Sequence, residues 1–168
     1  MKKRVAILKG GNSEEREVSL STGKSCSKAL IRLGYNVKSI DTKENFIGEL
    51  IKFKPDVVFN ALHGKYGEDG IIQGLLETLK IPYTHSGVQA SSIAMDKNLA
   101  KICFKEAGIP VVDHVILDES YSLQNIPFKL PYVIKPLAGG SSVDVKILKN
   151  KNDWQPFKNS RNKNKKYL

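Results

Sequence analysis

The residues of this chain that could do chemistry are concentrated in a loop that follows a short apolar run. Val57–Phe59 leads directly into Asn60–Gly70, which contains His63, Glu68 and Asp69 together with three glycines. In α/β proteins, ligands bind beyond the carboxyl ends of strands, and glycine lets the backbone approach a small ligand closely. The loop therefore predicts a reactive or binding site. The alternatives are that His63 is a satisfied structural residue and that the two carboxylates cap the next helix.

A second candidate lies near the amino terminus, where an apolar run leads into two glycines and then into a helical pattern. The segment Gly10–Ser19 contains Ser13, Glu15 and three further charged residues. Backbone N–H groups at such a turn, together with the helix dipole, can hold an anionic ligand. The same residues also make a good helix cap, so their spacing leaves both interpretations open. The segment is not a Gly-x-Gly-x-x-Gly fingerprint, which argues against dinucleotide binding.

A third candidate is a glycine- and serine-rich turn that follows a lysine at the end of an apolar run. It has the components of a phosphate site, namely an ammonium group, flexible backbone donors and hydroxyls. These are supplied by Lys135, Gly139, Gly140, Ser141 and Ser142. The turn lacks the Gly-Lys-Ser/Thr ending of a Walker P-loop, so a nucleotide would be held in another way. Lys97 is a further candidate for a phosphate contact, although a lysine at the start of a helix is most often solvated.

The elements that position these loops alternate between strand and helix over the first half of the chain. The pattern predicts strands at Val5–Leu8, Val37–Ile40, Val57–Ala61 and Ile81–Thr84, and helices at Val18–Leu33, Phe46–Phe53 and Gly70–Leu79. The strands are continuous apolar runs, which is typical of a parallel sheet that is covered on both faces. We therefore predict an α/β fold with an open, mostly parallel, doubly wound sheet.

The pattern changes beyond Gly87. It predicts helices within Ser91–Ala107, and then strands at Val111–Leu117, Tyr132–Lys135 and Val143–Leu148. Two strands joined by a short Gly-Gly-Ser-Ser turn form a hairpin and not a βαβ unit. We therefore predict three regions: a first domain at 1–95, the start of a second domain at 96–148, and a basic low-complexity tail at 149–168.

The net charge of +10 is concentrated in the tail. Of 27 basic and 17 acidic residues, seven basic and one acidic lie in residues 149–168, which leaves a net charge of only +4 on the rest. The tail also contains five asparagines and little apolar periodicity, a composition that predicts disorder. A nucleic-acid binder acting through this tail is disfavoured because the tail has no interleaved aromatic residues and no docking fold.

Composition also bears on the compartment. The chain has no run of about 18 apolar residues, so we expect no membrane partner. Cys26 and Cys103 lie far apart in helical patterns, which indicates reduced thiols and a cytoplasmic location. Whether the chain forms a homodimer is left open.

Taken together, the loops resemble one family, that of the D-alanine–D-alanine ligases. The motifs occur in the family's order and cover residues 4–148. They are Gly10–Leu20, His63–Gly70 (His-Gly-Lys-Tyr-Gly-Glu-Asp-Gly), Ile81–Gly87, Met95–Lys97 and Val133–Val143. Each motif is weak alone, but the five together are specific.

The resemblance implies a pre-ATP-grasp domain followed by the start of an ATP-grasp domain, and an enzyme of peptidoglycan synthesis. In the family, ATP with Mg2+ phosphorylates one D-alanine, and a second D-alanine attacks the acyl phosphate. Glu15 matches the carboxylate that orients the first D-alanine, assisted by Ser141, and His63 matches a residue beside that substrate. The matches to the ATP phosphate site are Lys97, Lys135, Gly139, Gly140, Ser141 and Ser142.

The sequence also departs from the family pattern. Family members are much longer, and the metal-binding carboxylates and asparagine have no counterpart here, so no metal ligand is predicted. Asp144 stands where the family has glycine, and its carboxylate is expected to face the triphosphate. The tail resembles what a frameshift or premature stop would leave. The alternative to a ligase is a non-catalytic remnant that binds D-alanine or a partner chain.

Overall fold

The computed structural model describes residues 2–118, 128–140, 142–160, 162 and 164–168. The chain divides into two compact units, Met1–Ser92 and Ile93–Leu168. No helix in the described part of the chain is both long and apolar enough to cross a membrane.

The first unit is built around a three-stranded parallel sheet. Its elements in chain order are β1 (Arg4–Lys9), α1 (Arg16–Arg32), β2 (Asn36–Asp41), α2 (Phe46–Phe53), β3 (Val57–Asn60), α3 (Ile71–Thr78) and α4 (Val88–Met95), the last of which crosses into the second unit. The strand order is β2-β1-β3, and Val5 pairs with Val37 on one side and Val57 on the other. The predicted α/β fold with an open parallel sheet is confirmed.

The central strand β1 is buried on both faces, which is why its sequence is a continuous apolar run. Gly23 lets α1 lie close to this strand, because a Cβ at that position would meet the Lys9 side chain at 2.7 Å. The buried core of the unit joins the sheet to α2 and α3. Its members are Ala6, Leu8, Ile40, Leu50, Val58, Leu62, Ile72 and Leu76.

The predicted fourth strand at Ile81–Thr84 is reduced to a single parallel bridge between Val58 and Tyr83. The Val58 N–H donates to the Pro82 carbonyl at 2.8 Å, and the Thr84 N–H donates to the Val58 carbonyl at 3.0 Å. Pro82 has no N–H, and His85 has a φ of 78°. The ladder therefore cannot continue in either direction, and the prediction of a full strand is wrong.

The second unit contains a helix, a hairpin and a carboxyl-terminal helix. Its elements are α5 (Lys97–Glu106), β4 (Tyr132–Ile134), β5 (Lys146–Leu148), a 3-10 turn (Lys151–Asp153) and α6 (Trp154–Ser160). The strands β4 and β5 pair antiparallel, with Val133 opposite Ile147, so the predicted antiparallel pairing is confirmed. The predicted start of the second strand at Val143 is wrong: β5 begins at Lys146, because Ser142 and Asp144 have positive φ values and are not extended. The predicted strand at Val111–Leu117 is wrong except at Leu117, which bridges to Tyr167.

The prediction of a disordered tail is wrong. The side chains of Trp154 and Phe157 are buried on one face of α6, and Tyr167 is buried near the carboxyl end of the chain. They pack with Leu117, Ile134 and Leu148 in the core of the second unit. The average composition of the tail gave no sign of this core, because only a few apolar residues form it. The asparagines have local roles, such as that of Asn150, which forms a capping box with Asp153 at the 3-10 turn.

Candidate functional site

Glu15 lies immediately before α1 and is buried, with 7% of its surface exposed. The Ser13 hydroxyl accepts a hydrogen bond from the Glu15 N–H at 3.2 Å and donates to the His63 carbonyl at 2.8 Å. The Glu15 carboxylate lies against Gly64, where any Cβ would clash with it. The first unit therefore brings together two of the predicted site residues, Glu15 and His63, through one hydroxyl and one glycine.

The loops that carry these residues are anchored by Ser19, which is completely buried on α1. Its hydroxyl accepts from the Gly10 N–H at 2.8 Å and donates to the Ala61 carbonyl at 2.7 Å. One side chain thus joins the segment after β1 to the segment after β3. The sequence analysis did not single out Ser19, although a polar residue on the inward face of a helix signals such a role.

The His63 ring has a polar partner at each nitrogen. Its Nε2 is 3.1 Å from the Thr22 hydroxyl, and its Nδ1 is 3.6 Å from a Glu68 carboxylate oxygen. The other Glu68 oxygen accepts from the Gly64 N–H at 2.7 Å. The N-cap of α3 is Gly70, and Asp69, one residue earlier, accepts from the Tyr66 N–H at 2.8 Å and from the Ile71 N–H at 3.2 Å.

The glycine turn before α1 is clamped by an ion pair. The Arg16 guanidinium contacts both Asp41 oxygens, at 2.9 and 2.6 Å, and also donates to the Gly11 carbonyl at 2.9 Å. Asp41 also accepts from the Gly11 N–H at 3.2 Å. The Arg16 guanidinium holds the pKa of the Asp41 carboxyl well below its usual range. The carboxylate therefore stays charged, and it links the end of β2 to the turn that precedes Glu15.

A cavity of about 240 Å³ lies beyond the carboxyl ends of the strands of the first unit. The glycine turn and the His63 loop form part of its wall, and apolar side chains form the rest. The apolar lining includes Phe46, Leu62, Ile71, Ile72 and Leu75. The sequence predicted the two loops but not this cavity, because the pattern of the segments that supply its apolar residues indicates only a buried core.

In the second unit, Lys97 begins α5 and contacts the predicted phosphate turn. Its ammonium donates to the Gly139 carbonyl at 2.7 Å and lies 3.5 Å from the Leu137 carbonyl. Its backbone N–H also donates to the Leu137 carbonyl. Burial and then the nearby Lys135 ammonium lower the pKa of Lys97. Lys97, Lys135 and Gly139 therefore lie close together, as expected of a site for an anion.

Lys101 belongs to the same group of charges and was missed from the sequence. It lies one turn after Lys97 on α5, and its ammonium donates to the Val112 carbonyl at 2.8 Å. Burial and then the charge of Lys135 lower the pKa of Lys101. Spacing of four residues on a helix is the signal that could have identified it.

The backbone of the glycine- and serine-rich turn adopts unusual conformations. Gly139, Ser142 and Asp144 have φ values of 120°, 60° and 57°, and the Gly140 carbonyl accepts from the Val143 N–H. The Asp144 carboxylate forms an ion pair with Lys165 at 3.0 Å. Ser141 lies outside the described residues.

Comparison with known proteins shows which proteins this chain is similar to. A family model described as D-ala D-ala ligase N-terminus matches residues 43–86. The D-alanine–D-alanine ligase of Parvibaculum lavamentivorans is 52% identical over 147 residues, which cover 88% of this chain and 48% of that protein. The chain is similar to the N-terminal half of the D-alanine–D-alanine ligases. It spans about half the length of the curated relatives that it matches, and the match lies in their N-terminal half.

Two further members of the D-alanine–D-alanine ligase family extend the comparison. The enzyme of Rhodospirillum rubrum is 49% identical over 160 residues, 94% of this chain and 53% of that protein. The crystal structure of the Bacillus anthracis ligase complexed with ATP matches with a TM-score of 0.81 and 32% identity, covering 98% of this chain and 57% of that one. Because the structural match covers 98% of the chain, it includes nearly all of residues 149–168.

Proposed function

We propose that this chain carries the D-alanine-binding and triphosphate-binding parts of an ATP-dependent D-alanine–D-alanine ligase of peptidoglycan synthesis. The observation that carries the proposal is the buried Glu15 carboxylate, which lies against Gly64 beside His63. The identity of about 50% with proteins named D-alanine–D-alanine ligase supports it. The free thiols of Cys26 and Cys103 fit the cytoplasmic location predicted from the sequence.

Glu15 is the proposed partner of the ammonium group of the first D-alanine. A carboxylate only accepts hydrogen bonds, and an ammonium group is a donor of opposite charge, so the two groups are complementary. Gly64 supports this role because its missing side chain lets the Glu15 carboxylate lie against the backbone of the His63 loop. His63 is the proposed neighbour of the same substrate, and Ser141 is proposed to assist Glu15 on the family resemblance alone.

Lys97 and Lys135 are the proposed partners of the ATP phosphates. Burial and then the like charge of Lys135 lower the pKa of Lys97, and the negative charge of a bound polyphosphate would offset the repulsion between the two ammonium groups. The Lys97 ammonium donates to the Gly139 carbonyl at 2.7 Å and lies 3.5 Å from the Leu137 carbonyl. Phosphate oxygens would replace these carbonyls. The turn Gly139–Ser142 would then cover the phosphates with backbone N–H groups and hydroxyls.

The proposed reaction has two steps. A carboxylate oxygen of the first D-alanine attacks the γ-phosphorus of ATP, and ADP leaves. The amine nitrogen of the second D-alanine then attacks the carbonyl carbon of the acyl phosphate, and the C–O bond to phosphate breaks. The dipeptide and inorganic phosphate are released, and the attacking nitrogen loses a proton. The lysines stabilise the charge that develops on the phosphoryl oxygens in the first step.

Magnesium would neutralise phosphate charge in this reaction. In the described part of the chain, no group of three or more His, Cys, Asp or Glu side chains is arranged to hold a metal ion. We therefore assign none of these residues as a metal ligand and no step to the metal. The second candidate function is a chain that binds D-alanine or a partner chain without turnover.

The experiment that tests the proposal measures ATP binding and ADP formation by the purified chain. A fluorescent ATP analogue should bind, and Lys97→Met should weaken its binding about tenfold or more, as expected for a lost charge-assisted contact. Lys105→Met is the matched control, because Lys105 is exposed on the same helix. D-alanine-dependent ADP formation would favour the ligase over the second candidate. Equal binding by both variants would contradict the assignment of Lys97.

A further inference from the structure

His63 is held from three directions. Its carbonyl accepts from Ser13 at 2.8 Å, its Nε2 lies 3.1 Å from the Thr22 hydroxyl, and its Nδ1 lies 3.6 Å from Glu68. The ring therefore has little freedom to turn. The identities of the two ring partners also determine which nitrogen carries the proton in the neutral form.

The partner at Nδ1 is a carboxylate, which accepts hydrogen bonds and cannot donate them. A proton on Nδ1 is attracted by Glu68, whereas a lone pair there would be repelled. A separation of 3.6 Å is longer than a direct hydrogen bond, so the attraction acts mainly through charge. Glu68 is itself fixed, because its second oxygen accepts from the Gly64 N–H at 2.7 Å.

The partner at Nε2 is a hydroxyl, which can donate or accept. With the proton on Nδ1, the Nε2 lone pair accepts from the Thr22 O–H. Thr22 is placed for this contact by α1, since it lies three residues after the buried Ser19 and hence on the same side of the helix. Ser19 in turn bonds to Ala61, two residues before His63.

We propose that Thr22 and Glu68 are positioning residues that hold His63 as the Nδ1–H tautomer, with Nε2 as a hydrogen-bond acceptor. A ligand group that replaces the Thr22 hydroxyl at Nε2 must then be a donor, such as an ammonium group, and a carboxylate is disfavoured there. The tautomer is a property of the ligand-free chain. Only its use in recognising D-alanine rests on the proposed function.

The test is a long-range 1H–15N spectrum of the histidine side chains in the ligand-free chain, recorded at a pH where the rings are neutral. We expect His63 to show one pyrrole-like nitrogen, Nδ1, and one pyridine-like nitrogen, Nε2. His114, whose Nε2 faces the Asn98 side-chain oxygen at 2.9 Å, provides an internal reference that substitutions around His63 should not change. His63→Gln identifies the His63 signals.

Three variants separate positioning from general structural damage. Thr22→Val keeps the shape but removes the donor, and Glu68→Gln keeps the size but removes the charge. Each should move the two His63 nitrogen shifts toward the average of the two tautomers and leave His114 unchanged. Thr22→Ser should restore the wild-type pattern. An Nε2–H tautomer in the wild-type chain, or an unchanged His63 pattern in Thr22→Val, would overturn the proposal.

A titration with D-alanine keeps the two proposals distinguishable. If the tautomer pattern is as predicted and D-alanine does not bind, the proposed function fails while the positioning roles stand. If D-alanine binds and His63 is an Nε2–H tautomer, the positioning roles fail while the proposed function stands.

Discussion

Replacing Ser19 by alanine should destabilise the first unit more than any other removal of a single hydroxyl from α1. The Ser19 hydroxyl accepts from the Gly10 N–H and donates to the Ala61 carbonyl, and all three residues are buried. Alanine removes both contacts and leaves a donor and an acceptor without this partner. Water cannot readily replace a hydroxyl at a site with no exposed surface.

The magnitude follows from these two contacts. Each buried polar group that is left unsatisfied costs about 1–3 kcal/mol, and alanine returns about 0.5 kcal/mol through its higher helix propensity. For two such groups the net loss should be about 1.5–5.5 kcal/mol of unfolding free energy. A loss of this size is a large part of the total stability of about 5–15 kcal/mol that is typical of a domain.

The assay is urea unfolding followed by circular dichroism, with Ser21→Ala as the matched control. Ser21 is exposed on the same helix, so its replacement should change stability by about 0.5 kcal/mol or less. A Ser19→Ala loss below about 1 kcal/mol, or one equal to that of Ser21→Ala, would refute the reasoning. It would mean that the contacts of Ser19 do not join the two loops in solution.

Four further substitutions test other parts of the structure. Asp41→Asn should cost about 1 kcal/mol at neutral pH, since the pair with Arg16 is partly exposed. The pKa of Asp41 is lowered on folding, so its charged form stabilises the fold above about pH 4. The difference in unfolding free energy between Asp41→Asn and the wild type should therefore shrink as the pH falls further. A pH-independent difference in urea unfolding would count against the pair. Asp144→Gly should strengthen binding of an ATP analogue several-fold by removing a negative charge. Lys165→Met should weaken that binding. Weaker binding by Asp144→Gly and stronger binding by Lys165→Met would show that Asp144 does not oppose the phosphates. Trp154→Ala should destabilise the second unit by about 3–5 kcal/mol, because the indole is buried in its core, and a loss below about 1 kcal/mol in the same unfolding assay would contradict that packing.

Much of the first unit could be predicted from its sequence because its periodicity is strong. The helix at Phe46–Phe53 has the predicted bounds, and β1 and β3 begin within one residue of their predicted starts. Local signals were sufficient here. Asn45 caps α2, and the helix ends at Phe53, followed by its C-cap Lys54 and then Pro55. The single bridge at Tyr83 was harder to foresee, because the extent of a strand depends on the availability of a partner and not only on its own residues.

The second unit was predicted less well because its core joins distant parts of the chain. Leu117 pairs with Tyr167, fifty residues later, and the Lys135 N–H donates to the Leu168 carbonyl. A segment rich in asparagine and lysine gives no local sign of such pairing. The predicted disorder therefore failed, since a few well-placed apolar residues outweigh an average composition.

The candidate site could also be predicted only in part, from local signals and not from contacts between distant segments. Glu15, His63, Lys97 and Lys135 could be selected from loop positions and residue types. Their supporting contacts, such as the bonds of Ser19 and Thr22, depend on the approach of α1 to the loop after β3. The spacing of residues along the chain does not indicate that α1 lies close to this loop.

The most direct test of the account is a titration of the 15N-labelled chain with D-alanine and, separately, with L-alanine. The account predicts that D-alanine shifts the backbone amide signals of Ser13, Glu15 and Gly64, and that L-alanine has a much weaker effect. Glu15→Gln should abolish the response, whereas Glu17→Gln, a change at an exposed acid in the first turn of α1, should preserve it. Equal responses to the two enantiomers, or an undiminished response in Glu15→Gln, would contradict the claim that Glu15 binds the ammonium group of D-alanine.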